Sequence, residues 1–261
     1  MKKILNAIIN FFKPKKPVAP IVVKPIDPIP EIPTKEEVEN FPNMGIPDFF
    51  FADISHYTQS FSPKAYRDSF EVKERAFIIH KTTQGLSMVD SKWGARKLAS
   101  QQAGLLILGY HFWECYKDPF AQAAHYVKNH GTFLSNPIFD FESIPGKKGM
   151  EFEDFVKDQE GAYLCLLEIE RLSGKTPIIY CNRSEIERMK LPKKWARFFT
   201  WYSRYNSYLG PFPAPFEQQK CLGWQYKELG KNYTSYPSSF PGIGDCDCNI
   251  YYGSHNVLRL K

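Results

Sequence analysis

The sequence predicts an α/β barrel of the TIM type, with five βα units followed by three strands lacking helices, preceded by a Pro-rich N-terminal tail. Three observations carry this. Apolar runs of strand type alternate with helical patterns from Phe49 onward. Past about residue 197 that rhythm gives way to strands joined by segments rich in Pro, Gly, Tyr and Ser. Seven of the 20 prolines fall between Pro14 and Pro33. Repeated βα units argue for a parallel sheet, and eight strands suffice to close one.

In chain order, residues 1–16 (MKKILNAIINFFKPKK) come first. Ile4, Leu5, Ile8, Ile9, Phe11 and Phe12 recur at helical spacing, with Asn6, Asn10 and Lys13 opposite. Such a basic amphipathic segment suits a membrane surface or a docking partner. It also has the basic start of an export signal, but Asn6 and Asn10 interrupt the apolar stretch and no small-residue cleavage site follows. Residues 17–45 read as an extended linker, because proline fixes φ and lacks a donor. The catalytic barrel is expected over 46–261.

The strand-type runs are 49–55, 76–82, 105–112, 137–142 and 176–181, then 197–203, 221–226 and 247–253. A helix is expected over 63–75, since Ser62 is a good N-cap and Pro63 suits the first helical position. Further helices over 91–103, 119–130 and 151–173 end before Gly104, Gly131 and Gly174, each placed for a helix-ending positive φ. His125 and His130 are expected on the surface of the third helix.

Composition excludes some classes of function. No apolar run approaches the ~18–20 residues of a membrane span. The net charge of +6 suggests nucleic acid until its location is read. Residues 1–33 alone carry six lysines against Asp27 and Glu31, so the barrel has little basic excess to form a footprint. Six cysteines (115, 165, 181, 221, 246 and 248) show no zinc or disulfide spacing and read as buried free thiols. No cofactor is implied.

Active sites of such barrels sit at the C-terminal strand ends. Polar residues gather there: Asp53 and His56, His80 and Gln84, His111, Asp140 and Glu142, Asn182, Gln225, then Asp247 and Asn249. Asp140-Phe141-Glu142 is the sharpest element. Residues i and i+2 of a strand share a face, about 6.6 Å apart. Both carboxylates then point into the barrel mouth while Phe141 faces the helices. Two close carboxylates cannot easily both ionise, so one holds a proton at neutral pH, as glycosidic cleavage requires. Two other readings stay open. His56, His80 and His111 could hold a metal for water-based hydrolysis, or the barrel could bind glycans without turning them over.

The residues also resemble a known family, the glycoside hydrolase family 25 lysozymes (N-acetylmuramidases), over roughly 48–253. Asp53-Ile54-Ser55 matches its opening Asp-Val-Ser, and Ile79-His80-Lys81-Thr82-Thr83-Gln84-Gly85 is similar to its IIKATEG strand. Asp90, Trp93, Ala95-Arg96, Ala103-Gly104-Leu105 and Gly109-Tyr110-His111-Phe112 follow in the family's order. Asp140 and Glu142 match its D-x-E, residues 170–182 its fifth unit, and Asp247-Cys248-Asn249 its closing Asp-x-Asn. Two positions depart: Gln84 stands where the family commonly has Glu, and His80 where it has an apolar residue.

The resemblance implies cleavage of β-1,4 bonds between N-acetylmuramic acid and N-acetylglucosamine in peptidoglycan, with configuration retained. Glu142 would be the general acid/base. Asp140 would orient the sugar and stabilise its developing charge, with Asp53 and Asp247 completing an acidic floor. Tyr110, His111, Gln84, Tyr180, Trp201, Tyr205, Trp224, Gln225, Tyr226 and Asn249 would contact substrate. The expected partner is the glycan strand of a cell wall, met by a monomer outside the cytoplasm. The expected role is lysis, by a phage endolysin, a virion enzyme or a secreted bacterial effector.

Overall fold

The computed structural model describes residues 49–205, 212–217, 220–231 and 236–252. The expected amphipathic segment (1–16) and the linker (17–45) lie outside them.

The strands are β1 (Phe49–Ile54), β2 (Phe77–Gln84), the short β3 (Met88–Val89), β4 (Leu106–Phe112), β5 (Ile138–Asp140), β6 (Ile178–Asn182), β7 (Phe199–Ser203), β8 (Cys221–Lys227), β9 (Ser239–Phe240), β10 (Gly244–Asp245) and β11 (Asp247–Tyr251). Parallel pairing runs β1–β2–β4–β5–β6–β7–β8. β11 then closes the barrel by pairing antiparallel with both β8 and β1. β3 folds back on β2, and β9 with β10 forms a separate ribbon.

The outer helices are α1 (Pro63–Asp68), α2 (Trp93–Gln102), α3 (Pro119–His130), α4 (Phe152–Lys157), α5 (Gln159–Ser173) and α6 (Arg183–Met189). Gly104, Gly131 and Gly174 take positive φ as expected. α1 is shorter than the periodicity suggests. Ser69 ends it, its hydroxyl donating to Tyr66 O, and the chain resumes as a 3₁₀ turn at Lys73–Arg75. The single helix expected over 151–173 breaks into α4 and α5 at Asp158. Its carboxylate folds over Gly161, where a Cβ would lie 2.5 Å from Asp158 Oδ1. α6 completes the fifth βα unit, capped by Asn182, whose Oδ1 accepts from Ser184 N and Glu185 N.

Strand alternation sorts the apolar residues into two layers. Phe51, Phe77, Ile79, Leu108, Ile138, Ile178, Trp201 and Tyr251 fill the barrel. Ile78, Ile107, Phe139, Phe141, Ile179 and Tyr202 pack outward beneath the helices. All six cysteines are buried and free, with 4.0 Å between the sulfurs of Cys246 and Cys248. His130 is not on the surface. Its ring stacks on Phe133 at 3.9 Å and accepts from Gly109 N, because the last turn of α3 tucks it against β4. Tyr236 covers the helix-free side, against Phe50 and Tyr226.

Candidate active site

A cleft of about 340 Å³ opens at the barrel mouth. Asp53, the fifth residue of β1, reaches it from one wall. Asp140 ends β5, and Glu142 follows on the same face, while Phe141 turns outward to pack on Phe155 and Trp195 at 5.0 and 5.3 Å. The D-x-E geometry is thus the one that strand periodicity predicts. Asp247 is the first residue of β11. Because β11 runs antiparallel, its start lies beside the C-terminal ends of the other strands, with Asp247 opposite Asp53.

Directional hydrogen bonds hold Asp53. Asn249 Nδ2 and Gln225 Nε2 donate to its Oδ2, at 2.6 and 3.0 Å. The amide oxygens in turn accept. Asn249 Oδ1 takes the Trp201 indole N–H at 2.9 Å, and Gln225 Oε1 takes the Tyr180 and Tyr205 hydroxyls at 2.7 and 2.6 Å. Each amide orientation is therefore fixed from both ends, and the cleft aromatics are locked to the carboxylate they surround.

Burial dominates the electrostatics. It pushes Asp53 up to about 6, against the pull of the Asn249 and Gln225 amides. Glu142 rises to about 8 through burial and the nearby Glu185 and Asp53, opposed by Lys81 and the Tyr180 hydroxyl. Asp140 is also raised well above the carboxylate range, by burial and then by Glu142, with Lys81 opposing. Asp247 rises by burial and then by Asp53, against a bond from Leu229 N. At neutral pH the Asp140–Glu142 pair therefore holds a proton, the state a general acid needs beside a charge-stabilising neighbour.

Of the residues singled out in the sequence, Asp53, Tyr110, Asp140, Glu142, Tyr180, Trp201, Tyr205, Gln225 and Asp247 line this cleft. Asn249 is fully buried behind it as a scaffold for Asp53 and Trp201. Gln84 is displaced from the lining and spans Lys81 and Glu114. Three expected substrate contacts are corrected. His111 alternates with Tyr110 on β4, so it points outward, fully buried against Tyr126 and Phe139 and bonded to Thr83 Oγ1. Trp224 and Tyr226 flank Gln225 on β8 and likewise face the outer layer, donating to Arg204 O and Pro237 O.

The metal reading is also corrected, because the imidazoles do not converge. His56 pairs with Asp90 at 2.9 Å, His80 lies between Arg96 and Lys81 O, and His111 meets Thr83. Among the described residues no group of three His, Cys, Asp or Glu could hold a metal ion. Burial holds His80 down at about 4 and His111 at about 3, so both are neutral packing residues. Asn182, which the sequence places at a strand end, also lines the cleft, and Glu228 and Leu229 join it without being singled out by the sequence. Glu228 and Leu229 directly follow β8, so the strand-end rule alone would have reached them.

The sequence profile described as glycosyl hydrolases family 25 matches residues 52–233. No curated protein matches the chain in sequence. Among solved structures, the barrel is similar to the bacterial lysozyme from Streptomyces coelicolor, at 20% identity and TM-score 0.64, covering 81% of this chain and 94% of that one. A muramidase from Acremonium alcalophilum is similar at 21% identity and TM-score 0.63, covering 81% and 96%. A muramidase from Trichobolus zukalii is similar at 24% and 0.63, covering 79% and 95%. At such identities these likenesses establish a shared fold.

Proposed function

This chain belongs to glycosyl hydrolases family 25, and we propose from that premise that it is a peptidoglycan hydrolase of the lysozyme type acting at the cell wall. The bond cut is the β-1,4 link from N-acetylmuramic acid to N-acetylglucosamine. One observation carries the reading: four carboxylates, Asp53, Asp140, Glu142 and Asp247, converge in a single cleft with an aromatic wall.

In this mechanism the protonated Glu142 donates to the leaving glycosidic oxygen. Asp140 orients the sugar's 2-acetamido group and stabilises the oxocarbenium-like charge. Asp140 lines the cleft, and among the described residues nothing donates to its buried Oδ1, so no internal bond competes with the sugar for its carboxylate. Glu142, now a carboxylate, then takes a proton from the water whose oxygen bonds the anomeric carbon on the face that the leaving sugar vacated, so configuration is retained. Asp53 and Asp247 keep the floor acidic, which favours the protonated form of Glu142. Tyr110, Tyr180, Trp201 and Tyr205 supply surfaces for the sugar rings.

The test is digestion of purified peptidoglycan by the wild type and by Glu142→Gln, followed by analysis of the new reducing ends. Muramic acid ends that vanish with Glu142→Gln support the reading. Glucosamine ends place the cut at the other linkage, and binding without cleavage reduces the barrel to a glycan-binding module. Residues 1–16 are assigned a delivery role, at a membrane surface or a docking partner, with 17–45 as their spacer.

A further inference from the structure

Lys81 is the cation that opposes the raised pKa of both acids of the D-x-E pair. It follows the inward-facing Phe77 and Ile79 on β2, in register with the cleft-lining Tyr110, and there feels the charges of Asp140, Asp90 and Glu142, with Lys147 as the nearby like charge. An ammonium so placed should collapse onto the nearest carboxylate. It does not: among the described residues, none stands within the 4.0 Å of an ion pair with it. Instead its Nζ donates to the neutral Gln84 Oε1 at 2.7 Å and lies 4.5 Å from the centre of the Phe112 ring.

What holds Gln84 in that role is visible. Its Nε2 donates to Glu114 Oε1 at 2.9 Å. A carboxylate only accepts and an ammonium only donates, so the amide can take just one orientation between them. Glu114 is itself built in. The fully buried Gln122 accepts from Glu114 N and donates to Glu114 O, both at 3.0 Å. The Glu114 carboxylate fills the space over Gly85, where a Cβ would lie 2.2 Å from its Oε2. The negative charge that the resembling motif carries at position 84 is thus one step further out, on Glu114. A Glu at position 84 would face Glu114 as a like charge.

We propose that Gln84 and Glu114 are positioning residues that tether Lys81 off Asp140, leaving the Asp140 carboxylate free of an ion pair for its work on the sugar. The tether's catalytic meaning rests on the lysozyme-type reading, but its geometry does not. Besides Lys81, the charged groups facing Asp140 are Glu142, Asp53 on β1 and Glu185 on α6, and none of them is altered by the variants that follow.

The experiment is a ¹³C-carboxyl NMR titration of Asp140 in the full chain, with hydrolysis of peptidoglycan measured alongside. Gln84→Ala and Glu114→Ala release Lys81 onto Asp140, so the Asp140 titration moves down by about one pH unit, whereas Lys81→Met moves it up. Glu114→Gln keeps an acceptor for Gln84 Nε2 and leaves the titration near that of wild type. With Gln84→Ala, kcat falls about tenfold while KM stays within twofold, the mark of a lost transition-state contact. Upward movement in Gln84→Ala, or none, overturns the tether, because the amide then holds Lys81 near the acid or does nothing. A wild type inactive on peptidoglycan counts against the proposed function, while the titration still decides the tether.

Discussion

Asp53 and Asp247 are register partners across β1 and β11, two neighbouring strands that run in opposite directions. One carboxylate comes from the end of the first strand and the other from the start of the last. Asp53 is buried and Asp247 half-buried, and the charge of Asp53 raises Asp247 further. The acidic floor is therefore a product of barrel closure, and it holds carboxylates where ionisation is disfavoured.

Stability should reflect that cost. Glu142 has a folded pKa of about 8, above its ordinary carboxyl value. Its contribution is fully present below the unfolded pKa and is lost as pH rises through about 8. Thermal unfolding from pH 5 to 9 should show Glu142→Gln gaining Tm over wild type at the alkaline end and little at pH 5. Equal effects at both ends would mean that Glu142 is not held protonated.

Activity should be bell-shaped. The acid form of Glu142 is lost above about 8, and the Asp53 carboxylate is lost below about 6. Glu142→Gln should lower kcat by about 10²–10⁴ with the fold intact, the range for a lost general acid. Circular dichroism checks the fold, and release of reducing ends checks the rate.

Asn249→Ala removes the 2.6 Å donor to Asp53 and leaves the Trp201 indole N–H without its acceptor. An orphaned buried polar group costs about 1–3 kcal/mol, which urea denaturation can read. Asp53 also loses a bond that favours its charged form, so the acidic limb of the activity profile should move up in pH.

Gly223→Ala tests the seat of Trp201. A Cβ there would lie 2.9 Å from Trp201 Cδ1 and 3.3 Å from Ile250 O. Overpacking of this kind costs about 1–3 kcal/mol. Because Trp201 lines the cleft, KM should rise more than kcat falls, and a crystal structure should show the indole displaced.

A chain starting at residue 46 should hydrolyse soluble wall fragments as fast as the full chain. Loss of folding in that chain, read by circular dichroism, would show that the barrel depends on the preceding residues.

Much of this was legible in the residues. Strand alternation alone puts Asp140 and Glu142 on one face and Phe141 on the other, and the structure keeps that arrangement. The same rule, applied to β4 and β8, would have excluded His111, Trp224 and Tyr226. The family resemblance points to them, although each lies next to an inward-facing Tyr110 or Gln225. The length of α1 and the break at Asp158 were not legible, because both depend on side chains meeting backbone from elsewhere, Ser69 on Tyr66 O and Asp158 over Gly161.

Taken alone, the sequence determined the order of elements, the closure into eight staves and the acidic pair, because these follow from local periodicity and residue type. The tertiary structure decided the direction of β11, so that Asp247, expected at the mouth, reaches it from the start of its strand and not from the end. It also decided which amide faces Asp53 and which partner holds Lys81. Periodicity says which side of a strand a residue occupies, but not which way the strand runs or what stands opposite. Those are set by pairings between residues as far apart in the chain as Asp53 and Asn249.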